Sequence, residues 1–167
     1  MRIIVSNTGP LLHLSEAQSL DLLQPAGQIF IPPFVAVEAR RYLPTWQGNQ
    51  PSWIATIELL EPNLNEAQIW QQSGLLDRGE AEALALGRQL NANWFLTDDT
   101  AARVLAESFG VETHGSLGVL LWATTAKHLR RDEAEQRLDA LAASSLWISA
   151  DVIAEAKAAL DRLFAGD

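Results

Sequence analysis

The sequence predicts an α/β fold, a three-layer α/β/α arrangement in which helices cover a mainly parallel sheet of roughly five strands. Short apolar and β-branched runs alternate along the chain with longer stretches of helical period. This order is typical of parallel sheets with helices on both faces. With 167 residues, 48% of them hydrophobic, the chain can bury a full core. We therefore expect one domain, with its core over about 1–130 and C-terminal helices over about 131–167.

Five segments are predicted to form the strands. Four are apolar runs that end in turn or capping residues, and the fifth, over 52–60, has a weaker pattern. The four stronger candidates are RIIVS (2–6), QIFIP (28–32), NWFLT (93–97) and VETHG (111–115).

The segments with helical spacing are the predicted helices. They cover 10–23, 33–43, a region over 65–90 that is broken near Gly74, 99–109, 116–129, 132–143 and 150–164. Residues 44–52 contain two prolines and a glycine, so we expect an exposed loop there.

Composition excludes several classes of site. The chain has no cysteine, which excludes disulfides, thiol nucleophiles, iron–sulfur clusters and cysteine-ligated zinc. The formal net charge of −9 argues against a protein that binds nucleic acid by broad neutralisation of phosphates. It leaves open an enzyme whose carboxylates hold a divalent cation, because a bound cation reverses the local field.

The apolar segments are too short for membrane insertion. The run that begins the chain is shorter than a signal peptide, and LGVLLWATTA (117–126) is shorter than a bilayer span. We expect a cytoplasmic protein.

Polar residues close two of the predicted strands. Ser6, Asn7 and Thr8 follow the first strand, and Thr97, Asp98 and Asp99 follow the run at 93–96. Ligands of open parallel sheets bind at the carboxyl ends of the strands. These six positions are therefore candidate site residues.

Two glutamates lie on helix faces that should pack inward. Glu38 shares the apolar stripe of its helix with Phe34 and Val35. Glu80 heads the face that carries Leu84, whereas Glu82 points elsewhere, since residues two apart do not share a face.

Gathering Glu38, Glu80, Asp98 and Asp99 at one place is unfavourable without a counter-charge. A divalent cation is the simplest one. Oxygen ligands suit hard ions such as Mg²⁺, which keeps several waters and binds one or two carboxylates.

Each acid also has a simpler structural interpretation. Either Asp98 or Asp99 can cap the helix that begins at Thr100. Glu80 and Glu82 lie in a first helical turn, where acids are favourable.

Structural interpretations are also open for the other candidates. Glu38 can pair with Arg41 or Arg103, and Asn7 can cap the helix that Pro10 helps to start. Three histidines, at 13, 114 and 128, show no metal-ligand spacing and are interpreted as structural.

Several of these segments resemble, in order and spacing, the PIN-domain family, and in particular a prokaryotic subgroup related to the VapC toxins. The combination of GEAEA (79–83) with the later DDTAAR (98–103) is the most specific part. The other matching segments are IIVSNTGPLLHL (3–14), IFIPPFVAVEA (29–39), the stretch over 93–127 and WISADVIAEAKAAL (147–160).

The resemblance implies a ribonuclease that depends on Mg²⁺ or Mn²⁺ and has a cluster of acids at the strand ends. Carried over, these acids are Glu38, Glu80 and one or both of Asp98 and Asp99. Many family members have an aspartate where this chain has Asn7, and an amide contributes an oxygen but no charge. The resemblance further implies an antitoxin partner that blocks the site, and a homodimer.

In the implied hydrolysis of RNA, Glu38, Glu80 and Asp98 hold the metal directly or through water, and Asp99 is a fourth acid or the helix cap. Asn7 is a neutral ligand or holds a water, Thr97 positions a phosphate or a metal-bound water, and Arg103 orients the acids. The alternative is a PIN fold that binds RNA or a protein and has lost catalysis through Asn7. Trp46, in the predicted loop, and the apolar helix around Leu120–Trp122 are candidate contact surfaces, with core packing favoured for Trp122.

Overall fold

The computed structural model describes residues 1–46 and 48–166 and confirms the predicted three-layer α/β/α fold. Five parallel strands form one sheet in the order β3-β2-β1-β4-β5. Each predicted strand segment contains one of them. The strands are β1 (Ile3–Ser6), β2 (Gln28–Ile31), β3 (Ile54–Thr56), β4 (Trp94–Leu96) and β5 (Thr113–His114).

The helices follow the predicted periodic segments, and in the described ranges they number eight. Gly74 separates two of them, as predicted, and has a positive φ of 75°. The helices are α1 (Thr8–Glu16), α2 (Pro33–Tyr42), α3 (Asn63–Gln72), α4 (Arg78–Gln89), α5 (Thr100–Ser108), α6 (Ser116–Thr125), α7 (Arg131–Ala142) and α8 (Ala150–Phe164).

The spacing predicted one continuous helix over 10–23, but the structure has two separate helices in this segment. The helix α1 ends at Glu16, and a short 3₁₀ helix follows at Leu20–Leu23. Between them Gln18 has a φ of 52°, in the left-handed region, which breaks the helical hydrogen-bond ladder. The apolar spacing continues through this break because Leu22 and Leu23 are buried in the same core.

The order in which strands are added to the sheet reverses between β1 and β4. From β1 the chain builds outward through β2 to β3, and it then returns to place β4 and β5 on the other side of β1. The connections that leave β1 and β4 therefore diverge and leave a crevice at their carboxyl ends. Ser6 and Leu96 are paired in the register of these two strands, so the residues that follow them lie side by side.

Helices cover both faces of the sheet. On α4 the buried residues include Ala83, Leu84 and Leu86, and this helix packs against β1 and β4. The helix α6 packs against β5, α1, α7 and α8. Among the described residues, no helix is both long enough and apolar enough to span a membrane.

Trp46 lies in the core, which corrects its assignment to an exposed contact loop. Its side chain is 1% exposed, within a short 3₁₀ helix at Pro44–Trp46 that follows α2. An exposed loop was predicted because of its prolines and glycine, but an indole is too large an apolar group to leave in water when a core is adjacent. Gln47, in the same predicted loop, lies outside the described residues.

Replacement of Trp46 with alanine should reduce the free energy of unfolding by about 3–5 kcal/mol, since it removes a fully buried aromatic side chain. Trp46→Phe should cost less, because the indole Nε1 is buried without a hydrogen-bond partner among the described residues. Urea denaturation of both variants measures the difference. Equal midpoints for Trp46→Ala and the wild type would contradict the burial.

Candidate active site

A polar pocket of about 280 Å³ opens at the carboxyl ends of β1 and β4. It gathers six of the predicted site residues, namely Asn7, Thr8, Glu38, Glu80, Asp98 and Asp99. The other residues that line it are Gly9, His13, Asp77, Gly79, Ser145, Leu146 and Trp147. The pocket thus lies in the crevice that the strand order creates.

Asn7 is the N-cap residue of α1, as one alternative predicted, but its side chain does not cap the helix. Instead, Nδ2 donates a hydrogen bond to Thr97 Oγ1 at 2.9 Å. The other amide atom, Oδ1, is buried and has no hydrogen-bond partner among the described residues. The whole residue is 5% exposed, so an unpartnered acceptor is held at the base of the pocket.

Glu38 faces the pocket from the edge of α2. Its Oε1 accepts a hydrogen bond from Thr8 Oγ1 at 2.8 Å. No ion pair joins it to Arg41 or Arg103 in the described part of the chain, in contrast to the structural interpretation. On α4, Gly79 lies so close that a Cβ atom there would collide with Glu38 Oε1. A glycine at this position therefore allows the Glu38 carboxylate to reach the pocket.

Glu80 and Asp77 form a capping box at the start of α4. Asp77 Oδ1 accepts from the Glu80 backbone N–H at 2.9 Å, and Glu80 Oε2 accepts from the Asp77 N–H at 3.2 Å. Glu82, two residues on, lies outside the pocket and accepts from Arg78 Nε at 3.3 Å. The interpretations of Glu80 as an acid of a first helical turn and as a site residue are therefore compatible, since its carboxylate takes part in the capping box and also lines the pocket.

Asp98 is held by three hydrogen bonds. Oδ1 accepts from the Ser116 backbone N–H at 2.7 Å, and Oδ2 accepts from Ser116 Oγ at 2.5 Å. His13 Nδ1 lies 2.7 Å from the same Oδ2. Burial is the largest influence on the pKa of Asp98 and raises it, but the hydrogen bonds from His13 and Ser116 together lower the pKa below its ordinary value. Since an ionised carboxylate only accepts, Nδ1 of His13 carries the proton.

Asp99 is the N-cap of α5. Its Oδ2 accepts from the Ala102 backbone N–H at 2.8 Å, and its own N–H donates to Thr97 Oγ1 at 3.1 Å. The sequence left open which of the two aspartates caps the helix, and the structure assigns the cap to Asp99. Because its cap uses one oxygen whereas both oxygens of Asp98 are engaged, Asp99 is the freer of the two toward a ligand.

Three predicted residues, Ser6, Thr97 and Arg103, do not line the pocket. Ser6 and Thr97 are fully buried, so neither can contact a substrate. Thr97 positions the Asn7 amide and Asp99, which corrects its predicted contact with a phosphate or a water. Arg103 Nη2 contacts the Thr97 carbonyl at 3.4 Å and makes no ion pair with a carboxylate in the described ranges, so it does not orient the acids as predicted.

Two of the carboxyl groups bind protons more tightly than usual. The pKa of Glu80 is raised to about 7, mainly by burial, with a smaller contribution from the negative charges of Asp77 and Asp99. Burial also raises the pKa of Glu38, the hydrogen bond from Thr8 opposes this by lowering the pKa, and the charge of Asp77 raises it. Both shifts show that these carboxyl groups are partly removed from water, and that neighbouring acids add to the cost of ionising them.

The pocket fits a hard divalent cation that keeps part of its water shell. The buried Asn7 Oδ1 lacks a partner, and every carboxylate that faces the pocket offers oxygen, the donor that Mg²⁺ and Mn²⁺ prefer. Within residues 1–46 and 48–166, however, no three His, Asp or Glu side chains approach closely enough to hold one ion together. A site that offers only one or two carboxylates to an ion suits Mg²⁺, which binds through that number and retains several waters.

Four residues of the site were missed by the sequence analysis. The Asp77-x-x-Glu80 spacing is a capping-box signature, and Ser116 follows a strand, so a local signal existed for both. His13 was interpreted as structural because it lacks metal-ligand spacing, and Trp147 carries no local signal of function. The structure brings both to the pocket through contacts between distant segments.

The Glu80 carboxyl should titrate near pH 7, and Asp99→Asn should lower its pKa, because that change removes a neighbouring negative charge. The native protein then binds more protons than the unfolded chain between about 4.5 and 7, so this group's contribution to stability falls as pH rises through that range. Carboxyl ¹³C NMR titration measures both pKa values. A Glu80 pKa near 4.5 would contradict the burial of its carboxyl.

The comparisons with known proteins agree with this architecture. A family model described as a PIN domain matches residues 3–162, almost the whole chain. None of the curated proteins compared matches the chain. The matched segment contains all five strands and every charged residue that lines the pocket. The chain therefore belongs to the PIN-domain family, and its fold is of the nuclease type.

Proposed function

We propose that the protein is a ribonuclease of PIN type that depends on Mg²⁺ or Mn²⁺. The observation that carries the proposal is the pocket itself, which Glu38, Glu80 and Asp99 line together with Asn7, whose buried Oδ1 has no hydrogen-bond partner among the described residues. Buried carboxylates with raised pKa values favour a cation as their partner. A phosphodiester is the substrate class whose negative charge requires that cation.

The oxygens of Asn7, Glu38, Glu80 and Asp99 would hold the metal ion, directly or through water. When bound, the ion supplies the acidity that activates water for attack on a phosphodiester and offsets negative charge on the phosphate. Thr8 fixes the Glu38 carboxylate, and the Asp77 N–H fixes one oxygen of Glu80. These contacts orient the acids before the ion arrives, which reduces the reorganisation that binding requires.

Asp98 has a different role from Asp99. Because Ser116 and His13 occupy its oxygens, Asp98 joins α1 to α6 at the wall of the pocket. It also keeps the proton of His13 on Nδ1, so that the other ring nitrogen is left for the solvent or the substrate. Asp98 therefore connects two helices, whereas Asp99 caps α5 and faces the site.

Following the resemblance to VapC toxins, we further propose that the protein is the toxin of a toxin–antitoxin pair and a homodimer. The acidic pocket would then be the surface that the antitoxin covers. A cytoplasmic location fits the same proposal. Co-purification with the product of a neighbouring small gene, and sedimentation of the purified chain, test these two parts separately.

A second candidate function is a binding module without catalysis, and Asn7 is the observation that favours it. Its amide brings no negative charge to the position where many family members have an aspartate. The two candidates differ in one outcome, since the binding module holds RNA or a partner protein but leaves RNA intact with every metal.

The wild type should cleave an RNA that contains both paired and unpaired segments, with Mg²⁺ or Mn²⁺. Glu38→Gln should reduce kcat/KM on the order of 100-fold or more, because it removes a charged ligand. The matched control is Glu82→Gln, on the neighbouring helix and outside the pocket, which should retain activity. Gel analysis of end-labelled RNA measures both. Equal losses in the two variants would contradict the assignment of Glu38 to the site.

Asn7→Asp should raise the affinity for Mn²⁺ on the order of tenfold and raise activity, since a carboxylate adds charge beside the other acids. Thr97 Oγ1 can donate to the new carboxylate, so the fold should tolerate the change. Calorimetric titration with Mn²⁺ and the cleavage assay measure the two effects. An inert wild type together with an active Asn7→Asp would show that Asn7 prevents catalysis and would favour the binding-module candidate.

Metal affinity should increase as pH rises from about 6 to 8. Protons compete with the cation for Glu80, whose pKa is raised to about 7, so the carboxylate becomes available in that interval. Asp99→Asn lowers the pKa of Glu80 and should move the transition to lower pH. Mn²⁺ titrations at several pH values measure it, and an affinity independent of pH would show that Glu80 is not a ligand.

A further inference from the structure

Trp147 stands at the rim of the acidic pocket with its indole in solvent. Its side chain is 85% exposed, and apart from Met1 no large apolar residue in the described ranges is more exposed. It lines the pocket together with Ser145 and Leu146. By contrast, Trp46, Trp70 and Trp94 are buried in the core. Exposure of an indole is unfavourable by itself, so its place beside the pocket requires an explanation.

The segment that carries Trp147 is held on both sides. The Ser145 backbone N–H donates to Glu16 Oε2 at 3.3 Å, and Ser145 Oγ donates to Oε1 of the same glutamate. On the other side, Ser149 Oγ accepts from the Val152 N–H at 3.2 Å and caps α8. Leu146 and Ile148 pack against the core, so Trp147 between them points outward. The indole is thus presented by an anchored segment.

The charge of the pocket restricts how it can bind a nucleic acid. Among the described residues that line it there is neither lysine nor arginine, whereas five acids do line it. The chain as a whole carries a formal net charge of −9. Neutralisation of phosphates by side chains, the usual source of affinity for nucleic acids, is therefore absent at this pocket. Affinity beyond the metal contact must come from uncharged interactions.

We propose that Trp147 is a stacking platform for a base of single-stranded RNA whose backbone enters the acidic pocket. The inference rests on the proposed function and adds a residue that positions the RNA. Aromatic side chains stack with any base and need no cation, which fits a pocket of this charge. A base must leave its helix to stack on an indole, so paired RNA is disfavoured.

Binding is tested without cleavage by titrating the full-length protein with a labelled oligouridylate in Ca²⁺, with intact RNA verified on a gel. Trp147→Ala should weaken binding on the order of tenfold or more, and Trp147→Phe should retain most of the affinity. Leu60→Ala, an exposed apolar truncation outside the pocket, should bind as the wild type does. The wild-type tryptophan fluorescence should fall on binding, and Trp147→Phe should abolish that change.

A series of abasic oligonucleotides, each lacking one base at a different position, locates the stacked base. Every member of the series keeps all its phosphates, so a loss of affinity reports the missing base. For the wild type, one position should show a loss of affinity on the order of tenfold. In Trp147→Ala the same oligonucleotide should bind as the intact one does. An equal loss in both proteins would overturn the stacking contact.

The cleavage assay separates the two proposals. If the wild type cleaves RNA while Trp147→Ala binds and cleaves equally well, the stacking inference fails and the nuclease stands. If no metal supports cleavage but binding still depends on Trp147, the nuclease fails and the stacking contact stands. If Trp147→Ala leaves RNA binding intact and converts a dimer to a monomer in sedimentation, Trp147 contacts a second copy and the inference is overturned.

Discussion

The site depends on the burial of carboxylates at the point where the strand order of the parallel sheet reverses. The strand order places the residues after β1 beside those after β4, so Asn7 and the aspartate pair share one crevice. The helices α2 and α4 add two glutamates from the side. Such a collection is unfavourable in a partly desolvated pocket, and the raised pKa values of Glu38 and Glu80 are its direct consequence.

The fold tolerates this charge because several of the carboxylates also perform structural work. Asp99 caps α5, Glu80 and Asp77 cap α4, and Asp98 joins α1 to α6 through His13 and Ser116. Hydrogen bonds to N–H and O–H groups offset part of the cost of burial. The Asn7 amide differs, since it leaves an acceptor unsatisfied that a positive ligand would complete.

Close approach of backbone elements sets the geometry of the pocket. Gly79 lets the Glu38 carboxylate pass, and Gly115 lies where a Cβ atom would be 2.7 Å from Asp98 Oδ1. Both glycines adjoin a helix start, where side chains and backbone N–H groups converge on the acids. The site is therefore built on the ends of rigid elements, and the anchored segment with Trp147 closes one side of it.

The sequence by itself determined the fold class, the strand segments and the acids that end β4, because these depend on local periodicity and on turn chemistry. It also predicted the inward faces that carry Glu38 and Glu80. It could not distinguish Asp98 from Asp99, since that distinction depends on His13, 85 residues away in the chain, and on Ser116. The burial of Trp46 and the exposure of Trp147 were likewise decided by tertiary packing. Whether an indole is buried depends on which helices and loops pack against it, and the local sequence does not contain that information.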